Sequence, residues 1–237
     1  DESVWGYCMP TGKNIKGALE EVFKDAEERN SNLRIVMLTN GNRAMLETMF
    51  PDKFDYVRSP ENQDYIYTSR DLATLAGKRF HAKRNHISKF YRTYTDTRFE
   101  TLSDSNIPDA LTVAKLWCAE NDTDPEASSE ITAIREMCDL KDEYNVKGAV
   151  LYVDSKPVAM TLGSEISPKV YDINFEKALR EYDGVYAVIN NEFAKTLTQY
   201  EYINREEDMG LEGLKKSKLS YNPVIILDRW NAKPKKR

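Results

Sequence analysis

The chain has 237 residues, of which 41% are hydrophobic and 31% charged, enough apolar material for one large core or two modest ones, so general disorder is excluded. Its formal net charge of −5 excludes a chain-wide electrostatic affinity for nucleic acid or anionic membrane, so any basic site must be local. Three scattered cysteines, Cys8, Cys118 and Cys138, suit neither a disulfide framework nor a metal cluster, and no apolar run reaches the ~20 residues that span a bilayer.

A cytoplasmic protein with structural thiols is therefore expected. No signal-peptide pattern opens the chain. Residues 4–9 already read as a strand, which leaves open whether residues precede Asp1 and whether a first lobe is complete.

In chain order, 15–28 reads as a helix, 33–38 as a buried strand, 43–49 as a second helix closed by Pro51, and 54–57 and 65–67 as aromatic strands. This is half of an α/β layer. Residues 70–91 follow as one helix, with Ser69 at its N-cap and Asp71 in its first turn, where a carboxylate complements the helix dipole. Helices at 107–120 and 130–144 flank the turn cluster 121–125. Strands at 148–153 and 158–163 are joined by the hairpin chemistry of Asp154, Ser155, Lys156 and Pro157. Residues 170–176 alternate, placing Tyr171, Ile173 and Phe175 on one face and Asp172, Asn174 and Glu176 on the other. Gly184 precedes a helix over 185–198, followed by a strand at 202–205, a short helix at 211–219 and a last strand at 224–227. The basic tail 233–237 reads as a solvated end.

Three constellations carry chemistry. On the 70–91 helix, Arg79, Lys83 and His86 fall in the arc of Leu72, Leu75, Phe80, Ile87 and Phe90, while Lys78, Arg84, Lys89 and Arg92 occupy the remainder. Cations in an apolar stripe need anionic partners, either internal carboxylates or a phosphate-bearing ligand. His81 and His86 have no metal-ligand spacing with another His or Cys, and no metal is expected.

The second constellation is 204–221. Lys215 and Lys218 share a helix face with Leu211 and Leu214, and Asn204, Arg205 and Glu206 crowd the end of the preceding strand. Open α/β sheets place ligands at such junctions, although a salt-bridge knot fits the same charges. The third is Glu176, a candidate base toward an amine, with Tyr221 as a candidate proton donor; the alternatives are a hydrated carboxylate and a packed ring.

The segments YIYTSRDLATLAGKRFHAKRNHISKF, PVAMTLG, INFEKA and YINREEDMGLEGLKKSKLSYNP resemble the DUF2156 family, related to the C-terminal domain of phosphatidylglycerol lysyltransferases, over 65–223. The resemblance implies an α/β (α+β) fold of two acyl-CoA N-acyltransferase (GNAT)-like lobes, each a mixed sheet flanked by helices. The expected limits are a partial first lobe at 1–56, a connector at 57–95 and a second lobe at 96–237. It also implies transfer of an acyl or aminoacyl group from a coenzyme A or tRNA donor to an amine or hydroxyl acceptor.

The chain departs from the acetyltransferase pattern at the Gln/Arg-x-x-Gly-x-Gly/Ala loop, because Arg180 and Gly184 are one residue too far apart. The amides of Gly184, Val185, Tyr186 and Ala187 remain a candidate phosphate cradle. A coenzyme A thioester is thus one open donor and tRNA another. Arg79, Lys83, Asn204, Arg205, Glu206, Lys215 and Lys218 are expected to hold the donor between the lobes. The alternative is a non-catalytic module that binds tRNA or a small acidic metabolite.

Overall fold

The computed structural model describes residues 6–121, 124 and 128–235. In chain order the elements are β1 (Tyr7–Cys8), α1 (Ile15–Glu28), β2 (Ile35–Leu38), α2 (Asn40–Met49), β3 (Phe54–Arg58), β4 (Asp64–Thr68), α3 (Ser69–Thr74), α4 (His81–Thr93), β5 (Thr97–Thr101), α5 (Ile107–Glu120), α6 (Ser129–Asp139), β6 (Lys147–Val153), β7 (Lys156–Ser167), β8 (Val170–Ala178), α7 (Val185–Lys195), β9 (Tyr202–Asn204), α8 (Glu212–Leu219), β10 (Ile225–Leu227) and β11 (Trp230–Pro234). The chain divides into two compact units, one of residues 1–64, 207–217 and 226–237, the other of 65–206 and 218–225. The segment expected as a connector begins in the first unit and ends in the second.

In the first unit, Asn14 and Thr39 cap α1 and α2 by accepting the amides of Gly17 and Asn42. The sheet runs β1-β2-β11-β3, with β1 parallel to β2 and β11 antiparallel to both its neighbours. Its core is Leu19, Ile35, Leu38, Leu46, Phe54 and Ala232. The half-layer of the first 58 residues is thus filled by the end of the chain. Residues 233–235 are exposed, as a solvated end requires, but they are not loose. Lys233 and Pro234 pair with Asp55 and Phe54, and the Lys235 amide donates to the Lys53 carbonyl. Within the strand, Ala232 is buried and the Trp230 ring lies 4.2 Å from the Arg43 guanidinium; residues 236–237 lie outside the described residues.

The second unit holds most of a seven-stranded sheet of order β10-β4-β9-β8-β7-β6-β5. Antiparallel pairing joins β4 to β9 and runs from β5 through β8, whereas β8 and β9 are parallel. The hairpin between β6 and β7 turns on two residues with positive φ, Asp154 at 48° and Ser155 at 61°, a geometry matched to strand twist. One face of the sheet packs Tyr67, Tyr171, Ile173 and Ile203 with Leu72, Phe90, Val188 and Phe193 of α3, α4 and α7. The other packs Val150, Met160 and Leu162 with Val113, Ile134 and Cys138 of α5 and α6.

The expected single helix over 70–91 is broken. Its N-cap is Thr68, which accepts the Asp71 amide, and not Ser69. The chain leaves α3 through Leu75 at φ 46° and Gly77 at φ 90°, passes a 3-10 turn at Lys78–Phe80 and restarts as α4. Side chains hold the break. Arg84 donates to the carbonyls of Leu75 and Gly77, and buried Asn191 of α7 donates to those of Leu72 and Ala73. One helical wheel therefore does not describe the residues on both sides of Gly77.

Candidate functional site

The site grows from an irregularity in β8. Phe175 pairs with Leu162 but Ile173 pairs with Gly163, so Asn174 is an extra residue, a bulge. The expected alternation breaks there. Tyr171 and Ile173 face α7, but Phe175 packs with the α5 and α6 cluster, and the next residue, Glu176, turns to α7. Lys177 confirms the shift, pairing with Glu130 of α6 at 2.7 Å and lying 3.6 Å over the Trp117 ring of α5.

Beside the bulge the sheet parts. Ladder pairing of β8 with β9 runs from Val170 and Tyr202 to Asp172 and Asn204, where β9 ends while β8 continues to Ala178. Past that point Glu206 takes a φ of 55°, its amide donating to Asn204 Oδ1. Arg205 Nη2 donates to Glu176 Oε1 at 2.7 Å, both side chains being 10% exposed. Asn190 Nδ2 of α7 donates to Glu176 Oε2 at 2.9 Å. Both carboxylate oxygens are thus engaged. Three buried atoms around the pair have no hydrogen-bond partner among the described residues: Arg205 Nη1, Asn190 Oδ1 and Thr161 Oγ1, the last on the β7 residue paired with Glu176. Unpaired polar atoms in an interior cost free energy, so a cluster of three suits a group that binds there.

Lys83 of α4 and Tyr221 complete the cluster. Lys83 is half-buried, with its Nζ 3.9 Å from the Tyr221 ring centroid, and it forms no ion pair among the described residues. Burial, and then the Arg205 charge, push its pKa down to about 8, with Glu176 opposing. Tyr221 is buried, its ring centroid 4.9 Å from the Arg205 guanidinium. Burial pushes its phenol up to about 12, with Arg205 opposing and Glu176 adding. For Arg205, burial opposes the charge, but Glu176, Tyr67 and Tyr221 outweigh it and the pKa is raised.

The other expected site residues have separate places. Arg79 pairs with Asp71 at 2.8 Å, an internal carboxylate. Lys218 is buried, and its Nζ donates to the Arg205 carbonyl while its own carbonyl accepts from Tyr67, so it braces the backbone that presents Arg205. Glu206 accepts from Asn174 at 3.2 Å. Lys215 is exposed on the part of α8 that belongs to the first unit.

At the start of α7, the amides of Val185 and Ala187 donate to the carbonyls of Tyr182 and Gly184, and the Tyr186 hydroxyl accepts from Trp117. Gly184 holds φ 87°, and a Cβ there would lie 2.9 Å from the His86 carbonyl. A cavity of about 560 Å³ opens on the α6 side of the bulge, lined in part by Met137, Leu140, Ser164, Asn174, Phe175 and Glu206.

Thr161, Asn190 and the bulge were not singled out from the sequence. One signal existed for Asn190: the pair Asn190-Asn191 follows the apolar run 185–189, and a buried amide at such a place must have a partner. Among the described residues, no group of three or more His, Cys, Asp or Glu side chains is placed to hold a metal ion, and no helix is long and apolar enough to cross a membrane.

A family model described as phosphatidylglycerol lysyltransferase, C-terminal, matches residues 2–233. Among solved structures, a conserved protein of unknown function from Bacteroides thetaiotaomicron is 38% identical, with a TM-score of 0.88 over 97% of this chain and 79% of that one. A C-terminal DUF2156 domain from Agrobacterium fabrum is 14% identical, with a TM-score of 0.71 over 97% and 77%. A tandem GNAT protein from the clavulanic acid biosynthesis pathway is 10% identical, with a TM-score of 0.51 over 94% and 71%. The DUF2156 resemblance and the GNAT-like mixed sheet flanked by helices are both borne out.

Proposed function

The chain belongs to the phosphatidylglycerol lysyltransferase C-terminal family, and from that premise we propose that it is a cytoplasmic transferase moving an acyl or aminoacyl group onto an amine or hydroxyl acceptor, with its chemistry at the Lys83, Glu176, Arg205 and Tyr221 cluster. The observation that carries this reading is the buried, unpartnered Nη1 of Arg205 beside a half-buried lysine without a carboxylate of its own.

The acceptor nitrogen or oxygen attacks the donor's carbonyl carbon, and the new C–N or C–O bond forms as the C–S bond of a thioester or the C–O bond of a tRNA ester breaks. Arg205 Nη1 donates to the carbonyl oxygen as negative charge develops on it, a fixed donor that need not reorganise during the reaction. Glu176, itself held by Asn190, fixes the guanidinium in place. Because both Glu176 oxygens are engaged, Lys83 is the base that takes the acceptor's proton: a pKa of about 8 leaves a useful neutral fraction near neutral pH. The Tyr221 phenol, protonated at any physiological pH, supplies the proton to the leaving thiolate or alkoxide. Lys83 then returns its proton to Tyr221 through the solvent of the site.

The test is release of free thiol, or of deacylated tRNA, when the full chain meets coenzyme A thioesters or aminoacyl-tRNA with amine and hydroxyl acceptors. Acceptor-dependent turnover is expected, falling by about a hundredfold or more in Lys83→Met, since a general base contributes ~10²–10⁴. Binding of tRNA without turnover of any donor would replace this reading with that of a binding module.

A further inference from the structure

We infer that Lys83 is itself an acylation site, a built-in brake on the cluster it belongs to. The geometry supplies what amine acylation requires. The Lys83 amine is half-buried and engaged by no carboxylate among the described residues, resting 3.9 Å over the Tyr221 ring. Arg205 lies against the same ring, 4.9 Å from its centroid, and its buried Nη1, without a hydrogen-bond partner among the described residues, is a donor for a carbonyl oxygen. The groups of other elements that act on Lys83 are Arg205 beyond β9, Glu176 of β8 and Tyr221 after α8; the two positive centres face one carboxylate, which favours the neutral amine. A neutral lysine in a partly desolvated site is a nucleophile.

The reaction needs an activated acyl donor, a thioester or an acyl phosphate. The amine nitrogen attacks the carbonyl carbon, the C–N bond forms, the C–S or C–O bond breaks, and the amine proton leaves with the thiol or phosphate. The product, an Nε-acyl lysine amide, is uncharged and far less reactive than the donor, and it removes one cation from the cluster. No oxidant or second substrate is involved. The acylation rests on the cluster's geometry, whereas the brake rests on the proposed function, in which Lys83 is the base.

The experiment treats the full chain with a small thioester, S-acetyl-N-acetylcysteamine, and with acetyl phosphate, maps acetyl-lysines by peptide mass spectrometry over time, and measures transfer to an added amine on the same samples. Lys83 is expected to acetylate about tenfold faster than exposed Lys78 and Lys215 near pH 8, at a rate rising through that pH, since a lowered lysine pKa gives more free amine at some loss of nucleophilicity. Transfer to the added amine should fall in proportion to Lys83 occupancy. Labelling of Lys83 no faster than of Lys78 and Lys215 overturns the inference, and if the added amine is still acetylated, the transferase reading survives alone. Selective Lys83 labelling with no transfer to any amine removes the transferase reading and with it the brake, and sustains only the acylation of Lys83.

Discussion

Arg205 holds Glu176 at 2.7 Å across the opening left where β9 ends and β8 runs on, and both side chains are 10% exposed. Desolvation of two ions roughly offsets their attraction, so the pair is a poor source of stability but a costly thing to break. Glu176→Gln removes the negative charge and leaves the Arg205 cation buried beside half-buried Lys83. Urea denaturation should show a loss of about 3–5 kcal/mol. Replacing both partners by methionine should recover much of that loss while abolishing activity. An unchanged unfolding midpoint in the single variant would show that the pair is hydrated and not buried.

Lys83 makes the stability of the protein depend on pH in a window set by its two pKa values. In the unfolded chain the amine titrates at its ordinary value near 10.5, and in the folded chain at about 8. Between these values the unfolded state binds more protons than the folded one, so unfolding free energy rises with pH from about 8 to 10.5 and the contribution is flat outside that range. Lys83→Met should flatten this slope when denaturation curves are compared across the window. Activity, needing the neutral amine, should rise through pH 8 in the wild type. A Lys83→Met protein with the same slope as the wild type would contradict the assignment.

Gly184 and Gly77 form a natural pair of controls, with φ near 87° and 90°. Alanine at either position adopts a strained backbone conformation. Only at Gly184 would the new Cβ also meet an atom, the His86 carbonyl at 2.9 Å; at Gly77 nothing lies within 4 Å. Gly77→Ala should cost about 1 kcal/mol and Gly184→Ala roughly 1–2 kcal/mol more, because backbone of α4 and not a flexible side chain must move. Equal losses in thermal denaturation would mean that α4 yields freely.

Much of the fold was legible because its signals are local. Buried runs such as 148–153, the turn at Asp154 and Ser155, and the apolar helix after Gly184 follow from periodicity and turn chemistry within a few residues. The misread features depend on distant partners. The helix break at Leu75 is held by Arg84 and Asn191, nine or more residues away. Arg84, placed with Lys78 and Lys89 outside the apolar arc, is a cap, so substituting it would perturb the fold. The bulge at Asn174 is visible only in the register of β7 against β8, and it moves Glu176 from a face read as polar and open into contact with Arg205 and Asn190. Arg205, Glu176, Lys83 and Tyr221 were all named from the sequence, but their grouping needed that one-residue shift.

The first unit depends on the strand that leads into the basic tail. β11 lies between β2 and β3, pairing with residues from Ile35 to Leu38 on one side and from Phe54 to Arg58 on the other, and its Ala232 is part of the core. Without it, β2 and β3 have no common neighbour, and a two-stranded β1-β2 remnant is too small to persist in water. A chain ending at Asp228 should therefore become sensitive to limited proteolysis within residues 6–58, with loss of the ordered environment around Arg43 and Phe54. The substitution Ala232→Asp, which buries an unpaired carboxylate at the same place, should have the same effect at full length. Continued protease resistance of residues 6–58 in both proteins would show that the first sheet holds together without its last strand.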